Sequence, residues 1–291
     1  MTIKTILVGA SGGSASGGAV ALATRLAQRF GAHVEGFHIK FDPNEIIIAA
    51  SGGGLGMPMD GAWIDQMAAD ADKLATETKA AFLTEAAKQG LSHMEEPSGG
   101  SAASAATAGW HEDTGRAAIL LPARARFFDL IVLGRSDRVI DQPASDAIER
   151  TLLDSGRPVL IAPSTMPESI GETIAIGWDG SPRSVHALAA ALPLLKKAKK
   201  VLMMTVGDRP DAELPAACDH LRWHGVACDG RSIDAVPGVG PGEQLLSTAR
   251  DEGSDLLIMG AFGQAPWREM LFGGATRTIV GHSLLPVMLM H

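Results

Sequence analysis

The chain has 291 residues, 46% of them hydrophobic, with 33 acidic against 25 basic side chains and a net charge of −8. That length and apolar content suit two domains with a core in each. The acidic balance argues against a nucleic-acid surface, which needs clustered Lys and Arg to displace counterions. Two cysteines exclude a disulfide framework. No apolar run reaches the roughly 18 residues that span a bilayer, so a cytoplasmic protein with no membrane partner is expected.

Met1 to Gly9 begins with a strand pattern around Ile6-Leu7-Val8, too short for a signal sequence. The glycine-rich turn Gly9-Ala-Ser-Gly12-Gly13-Ser14 follows, without strict dinucleotide-binding spacing. Ala19 to Phe30 has helical periodicity and closes at Gly31. His33 to Ile39 reads as a strand that puts His33 and His38 on opposite sides, so they cannot share a ligand. Residues 41–61, rich in Gly, Met and Pro, read as a loop or lid, and Ala62 to Gln89 as a long helix. Pro97 to Ala108 suits loop or helix, with Trp110-His111-Glu112 on a short strand. A helix over 115–126, a buried strand Asp129 to Leu133, a helix over Ala144 to Leu153 and a strand over Pro158 to Ala162 complete the first half.

The pattern then restarts. Thr173 to Ile176 is a strand; Ser181 and Pro182 are a helix cap and a first helical residue. The cluster Lys196, Lys197, Lys199 and Lys200 suits the solvated end of that helix. A strand over Val201 to Val206, a helix over Leu214 to His224, a strand over Val226 to Asp234 and a helix over Gly242 to Glu252 follow. Asp255-Leu-Leu-Ile-Met-Gly260 repeats Asp129-Leu-Ile-Val-Leu-Gly134, and Pro286 repeats Pro158. Ile6 and Ile174 lie further apart than these pairs, which puts an insertion in the middle of the first half. The expectation is two tandem α/β domains, 1–165 and 171–291, each a doubly wound, mainly parallel five-stranded sheet with helices on both faces. Such sheets take ligands at the carboxyl ends of their strands, beside the switch point.

The last strand pattern runs into Gly260 and Gly263, then Gly273-Gly274 before a helical pattern from Thr276 to His282. Glycines let backbone approach a ligand closely, and a helix starting behind them offers free N–H groups to an anion. The alternative is that they only make turns. Gly260-x2-Gly263-x9-Gly273 resembles the nucleotide-binding motif of the universal stress protein family, Gly-x2-Gly-x9-Gly-Ser/Thr. Gly274 stands where that motif has a hydroxyl residue, and the first hydroxyl comes at Thr276. The repeat extends the likeness over nearly the whole chain, as in a tandem member.

The resemblance implies an adenine nucleotide alpha hydrolase-like fold and bound ATP, or AMP or ADP, with Mg accompanying the phosphates. It implies Asp179 at the nucleoside, in the turn Asp179-Gly180-Ser181, with the backbone of Val206 at adenine. Arg268 and Arg277 flank the glycines and suit either phosphate or open surface. In the first half Ser11-Gly12 replaces Asp-Gly, Asp137 stands at the Gly263 position, and Ser145-Asp146 replaces Gly273-Gly274. A carboxylate in a phosphate cradle repels the ligand. One competent site is therefore expected, in the second half, with the first half as an intramolecular partner and homodimerisation open.

Cys218, His220, His224 and Cys228 have spacing that could hold zinc, or could be a solvated helix face with core thiols, which we prefer. Met288 and Met290 suit core or a subunit interface. No nucleophile elbow or Walker-type Gly-Lys-Ser/Thr occurs, so strong catalysis is not expected. The reading is a stress sensor or regulator that binds ATP. The alternatives are a nucleotide-free interaction protein of the same fold and an adenylyl- or phosphoryl-transfer enzyme.

Overall fold

The computed structural model describes residues 2–42, 61–96, 105–135, 142–163, 166–207, 213–261 and 283–291. They fall into two compact units, Lys4–Ser155 and Gly156–His291, the latter with Met1–Ile3.

The first unit contains β1 (Thr5–Gly9), α1 (Gly13–Phe30), β2 (His33–Lys40), α2 (Gly61–Lys88), β3 (Ser92–His93), β4 (Thr107–Thr114), α3 (Ala117–Ala125), β5 (Leu130–Gly134) and α4 (Gln142–Asp154). Its strands lie in the order β3-β4-β2-β1-β5, all pairs parallel. Ile6, Leu7 and Val8 and their neighbours Leu130, Ile131 and Val132 are all buried. A parallel sheet covered on both faces needs such continuous apolar runs, and each such side chain contributes about 1.5–3 kcal/mol. Arg124 of α3 holds Glu35 of β2 through two donors, Nε to Oε1 and Nη2 to Oε2, and lies 5.3 Å from the Phe37 ring centroid.

α1 begins six residues before the helix that periodicity alone marks. Gly12 and Gly13 take positive φ, 83° and 76°, and the chain turns there straight into the helix. Packing of Ala19, Leu22, Ala23 and Leu26 into the core holds the glycine-rich first turns. Gly31 closes α1 in the left-handed conformation, as expected. The Trp110 strand is longer than expected, because every residue from Thr107 to Thr114 pairs with β2.

The second unit contains β6 (Val159–Ala162), β7 (Thr173–Gly177), α5 (Pro182–Leu195), β8 (Lys200–Val206), α6 (Glu213–Trp223), β9 (Asp229–Ile233), α7 (Pro241–Asp251), β10 (Leu256–Gly260) and β11 (Val287–Met290). The order is β6-β11-β10-β7-β8-β9. All pairs are parallel except β6 with β11. Apart from β6, β11-β10-β7-β8-β9 is the arrangement of a doubly wound sheet, with the switch between β7 and β10. β6, read from sequence as the closing strand of the first half, lies against β11, with Leu160 opposite Met288. Met288 is core; Met290 is half-buried at the strand's end.

The repeated aspartates have the same task in each unit. Asp129 Oδ2 accepts hydrogen bonds from the Lys4 and Thr5 amides and the Thr5 hydroxyl. Asp255 accepts from the Glu172 and Thr173 amides and the Ser169 hydroxyl. Each carboxylate ties the starts of two neighbouring strands together, β5 to β1 in the first unit and β10 to β7 in the second.

Candidate functional site

The carboxyl ends of β7, β8 and β10 are adjacent because β7 pairs with both others. Gly177 is in register with Met204 on one side and Met259 on the other. The chain leaves β7 through Trp178, whose amide donates to the Met204 carbonyl at 2.8 Å. Asp179 follows, half-buried, its Oδ1 accepting from the Ser181 amide at 3.0 Å. Gly180 completes the turn at φ 69°. α5 starts there. Ser181 caps it, Oγ accepting from the Ser184 amide at 3.3 Å, with Pro182 in the first turn. Three predicted site residues thus lie together at a helix N-terminus beside the switch point.

Gly260 joins them from β10. A Cβ there would lie 2.7 Å from the Ser184 amide nitrogen and 2.8 Å from the Arg183 carbonyl carbon. Gly260 therefore lets the end of β10 pack against the first turn of α5. This is the helix-packing use of a glycine, and it brings the Asp179 turn next to the start of the Gly260-Gly263 segment. Val206 ends β8, half-buried and in register with Ile233. Gly263, Arg268, Gly273, Gly274, Thr276 and Arg277 lie outside the described residues, as does Asp137.

Two polar atoms that sequence reading passed over lie at the same level. Trp178 follows Gly177 and Thr205 follows Met204, the registered pair. Trp178 Nε1 and Thr205 Oγ1 are buried and have no hydrogen-bond partner among the described residues. Thr205 is 2% exposed. Buried donors are almost always satisfied, so two together at a strand end are unusual. A hydroxyl at the end of the apolar run Val201 to Met204 is the one signal the sequence carries for Thr205.

The same level of the first unit is built differently. There the Ala10 amide donates to the Phe37 carbonyl at 2.9 Å, which makes Ser11 the counterpart of Asp179 and His38 that of Thr205. His38 is buried, with Nδ1 2.6 Å from the Ala10 carbonyl oxygen. The carbonyl can only accept, so Nδ1 carries the proton. Gly12 faces α2: a Cβ there would lie 2.8 Å from Leu74 Cδ1 and 3.2 Å from Thr78 Oγ1. His33 and His38 have separate partners, Thr107 and Ala10, as their odd spacing requires.

The four residues with zinc-like spacing separate into two pairs. His220 on α6 and His224 just past its end are exposed, ring centroids 4.8 Å apart. Cys218 and Cys228 are buried, their sulfurs 3.3 Å apart. Among the described residues no group of three or more His, Cys, Asp or Glu could hold a metal ion. The arrangement is a solvated imidazole face over core thiols.

No family model matches the chain. A crystal structure of a universal stress protein from Archaeoglobus fulgidus superposes with a TM-score of 0.71 at 15% identity, covering 99% of this chain and 96% of that one. The chain has the universal stress protein fold. A Pseudomonas aeruginosa structure provisionally classed among the universal stress proteins gives a TM-score of 0.57 at 15% identity, over 99% of this chain and 93% of the other. In sequence, a universal stress protein of Methanocaldococcus jannaschii is 38% identical over 48 residues. That match covers 16% of this chain and spans 30% of the relative's length. Likeness to two structures over nearly their whole length accounts for both units of the universal stress protein fold in one chain. No helix among the described residues is long and apolar enough to cross a membrane.

Proposed function

We propose that this chain is a tandem universal stress protein that binds an adenine nucleotide, ATP first among them, at the carboxyl end of the sheet in its second unit. The observation that carries the reading is the convergence at the switch point: Asp179, the N-terminus of α5 and the end of β10 at Gly260 meet there. Gly260 opens the Gly260-x2-Gly263-x9-Gly273 spacing. The half-buried Asp179 carboxylate suits a ribose or adenine donor, the glycines suit phosphates with Mg, and the unpartnered Trp178 Nε1 and Thr205 Oγ1 call for a ligand atom or water. Arg268 and Thr276 are the side chains assigned to phosphate. No nucleophile–base pair is part of this reading, so its output is nucleotide-dependent signalling in the cytoplasm rather than turnover.

Asp179→Asn separates the two uses of that carboxylate. Asparagine still accepts from the Ser181 amide through its side-chain oxygen but carries no charge. Calorimetric titration with ATP is expected to show binding to the wild type and at least about tenfold weaker binding to D179N, about 1.4 kcal/mol, with unchanged thermal stability. Equal affinity would remove Asp179 from the site.

A second reading, a nucleotide-free interaction protein, draws on the local roles just described: Gly260 accommodates α5, Ser181 caps it, and Asp179 closes a turn. Wild-type protein that neither carries nor binds adenine nucleotide would favour it.

A further inference from the structure

We propose that Cys218 and Cys228 form a reversible dithiol–disulfide site that exchanges with low-molecular-weight disulfides. The two thiols come from different elements. Cys218 is on the buried face of α6, with Ala217 and Leu221. The chain leaves α6, turns at Gly225 with φ 78°, and is held by the Val226 amide on the Leu221 carbonyl at 3.0 Å. This return brings Cys228 against Cys218, sulfur to sulfur at 3.3 Å. Gly230 in β9 borders the pair: a Cβ there would lie 3.1 Å from Leu214 Cγ and 3.4 Å from Cys218 Sγ. These are the only cysteines in the chain.

The local chemistry makes the pair unequal. The Cys228 thiol donates to Cys218, and together with the Arg222 guanidinium this lowers the Cys218 pKa, against the opposing effects of burial and of Asp219 and Asp229. Hydrogen bonding to Cys218 and burial raise the Cys228 pKa. Arg222 is held in place by Asp219 at 2.5 Å and by the Cys228 carbonyl at 2.9 Å. Cys218 is therefore the attacking thiolate and Cys228 the resolving thiol.

Access comes from position. β9 is the edge strand of its sheet, and Asp229 to Ser232 are exposed. An edge strand with few buried contacts opens at lower cost than the central strands. The exchange balances as follows. Cys218 thiolate attacks one sulfur of RS–SR, forming a protein–SR mixed disulfide and releasing RS−. Cys228 loses its proton, attacks Cys218 Sγ, and displaces the second RS−. Two electrons pass from the protein pair to the small disulfide, and two protons leave as two RSH. Among the described residues no third His, Cys, Asp or Glu joins the two sulfurs in a metal-binding group, and the imidazoles of His220 and His224 face solvent.

The test uses the full-length protein with oxidised glutathione, followed by alkylation without reduction and tryptic mapping. The cuts after Lys200, Arg222 and Arg231 place the two cysteines on separate fragments, Val201–Arg222 and Trp223–Arg231. The expected product is these two fragments linked, lighter by two hydrogens than their sum and separated by dithiothreitol. Linkage should be greater in native protein than in urea at the same glutathione concentration, because packing rather than chain proximity drives closure. Cys228→Ser should instead retain glutathione on Cys218. Two alkylated cysteines, glutathione adducts without a link, or equal linkage in native and urea-treated protein would each overturn the proposal.

Discussion

A methyl group at Gly260 would meet backbone atoms of α5 at 2.7 and 2.8 Å, distances that real Cβ atoms do not reach. Neither Arg183 nor Ser184 can swing its main chain aside, since Ser184 is also held by the cap at Ser181. Gly260→Ala is therefore expected to cost about 1–3 kcal/mol, read as a lower urea midpoint. An unchanged midpoint would mean that α5 shifts freely and that this glycine serves a ligand alone. The role of Asp179 is equally local in part: one oxygen closes its own turn, which places the carboxylate at the strand end. The glycine motif had a mixed message for the same reason. Its first glycine serves packing, and that packing sets the end of β10 against the first turn of α5, beside the Asp179 turn.

The strands depend on a clamp at their amino ends. Asp255 is 6% exposed and accepts from two amides and a hydroxyl of the segment that leads into β7. Removing it leaves those amides without that acceptor in a half-buried place, which costs more than the bonds themselves contribute. Asp255→Ala is expected to lower stability by about 3 kcal/mol, checked by urea unfolding with an unchanged slope. A loss under 1 kcal/mol would show that water replaces the carboxylate. The repeat of Asp129 and Asp255 was visible as a spelling match, yet its purpose is fixed by atoms 124 and 82 residues away in the chain. α1 shows the opposite case. Its first turns are glycine-rich and have poor intrinsic preference for helix, and burial of the later turns holds them in place.

The two units share the order of four parallel strands, β4-β2-β1-β5 in the first and β9-β8-β7-β10 in the second, and differ in the residues at the carboxyl ends of those strands. Asp179, Trp178 and Thr205 in the second unit stand where Ser11, Ala10 and His38 stand in the first. There the His38 ring takes up the Ala10 carbonyl, and Leu74 and Thr78 of α2 pack against the Gly12 turn. On the proposed reading, a chain carries a single nucleotide. Heat release from freshly purified protein, followed by chromatography, is expected to yield no more than one adenine nucleotide per chain, and calorimetric titration of emptied protein a single site. Two per chain would return the first unit to function.

Periodicity and the Asp-strand-Gly repeat were enough to read two parallel α/β units from the chain, because buried parallel strands need uninterrupted apolar runs and their crossovers need amphipathic helices. The turn Asp179-Gly180-Ser181, with its cap and Pro182, was legible for the same local reason. Two features were not legible. The antiparallel pairing of β6 with β11 and the contact of Gly260 with α5 each join residues that no local pattern relates, while the spacing of Cys218 and Cys228 left open whether they share a metal or pack in the core. Hydrophobic periodicity tells which face of an element is buried, whereas the neighbour on that face is chosen by packing of the whole sheet.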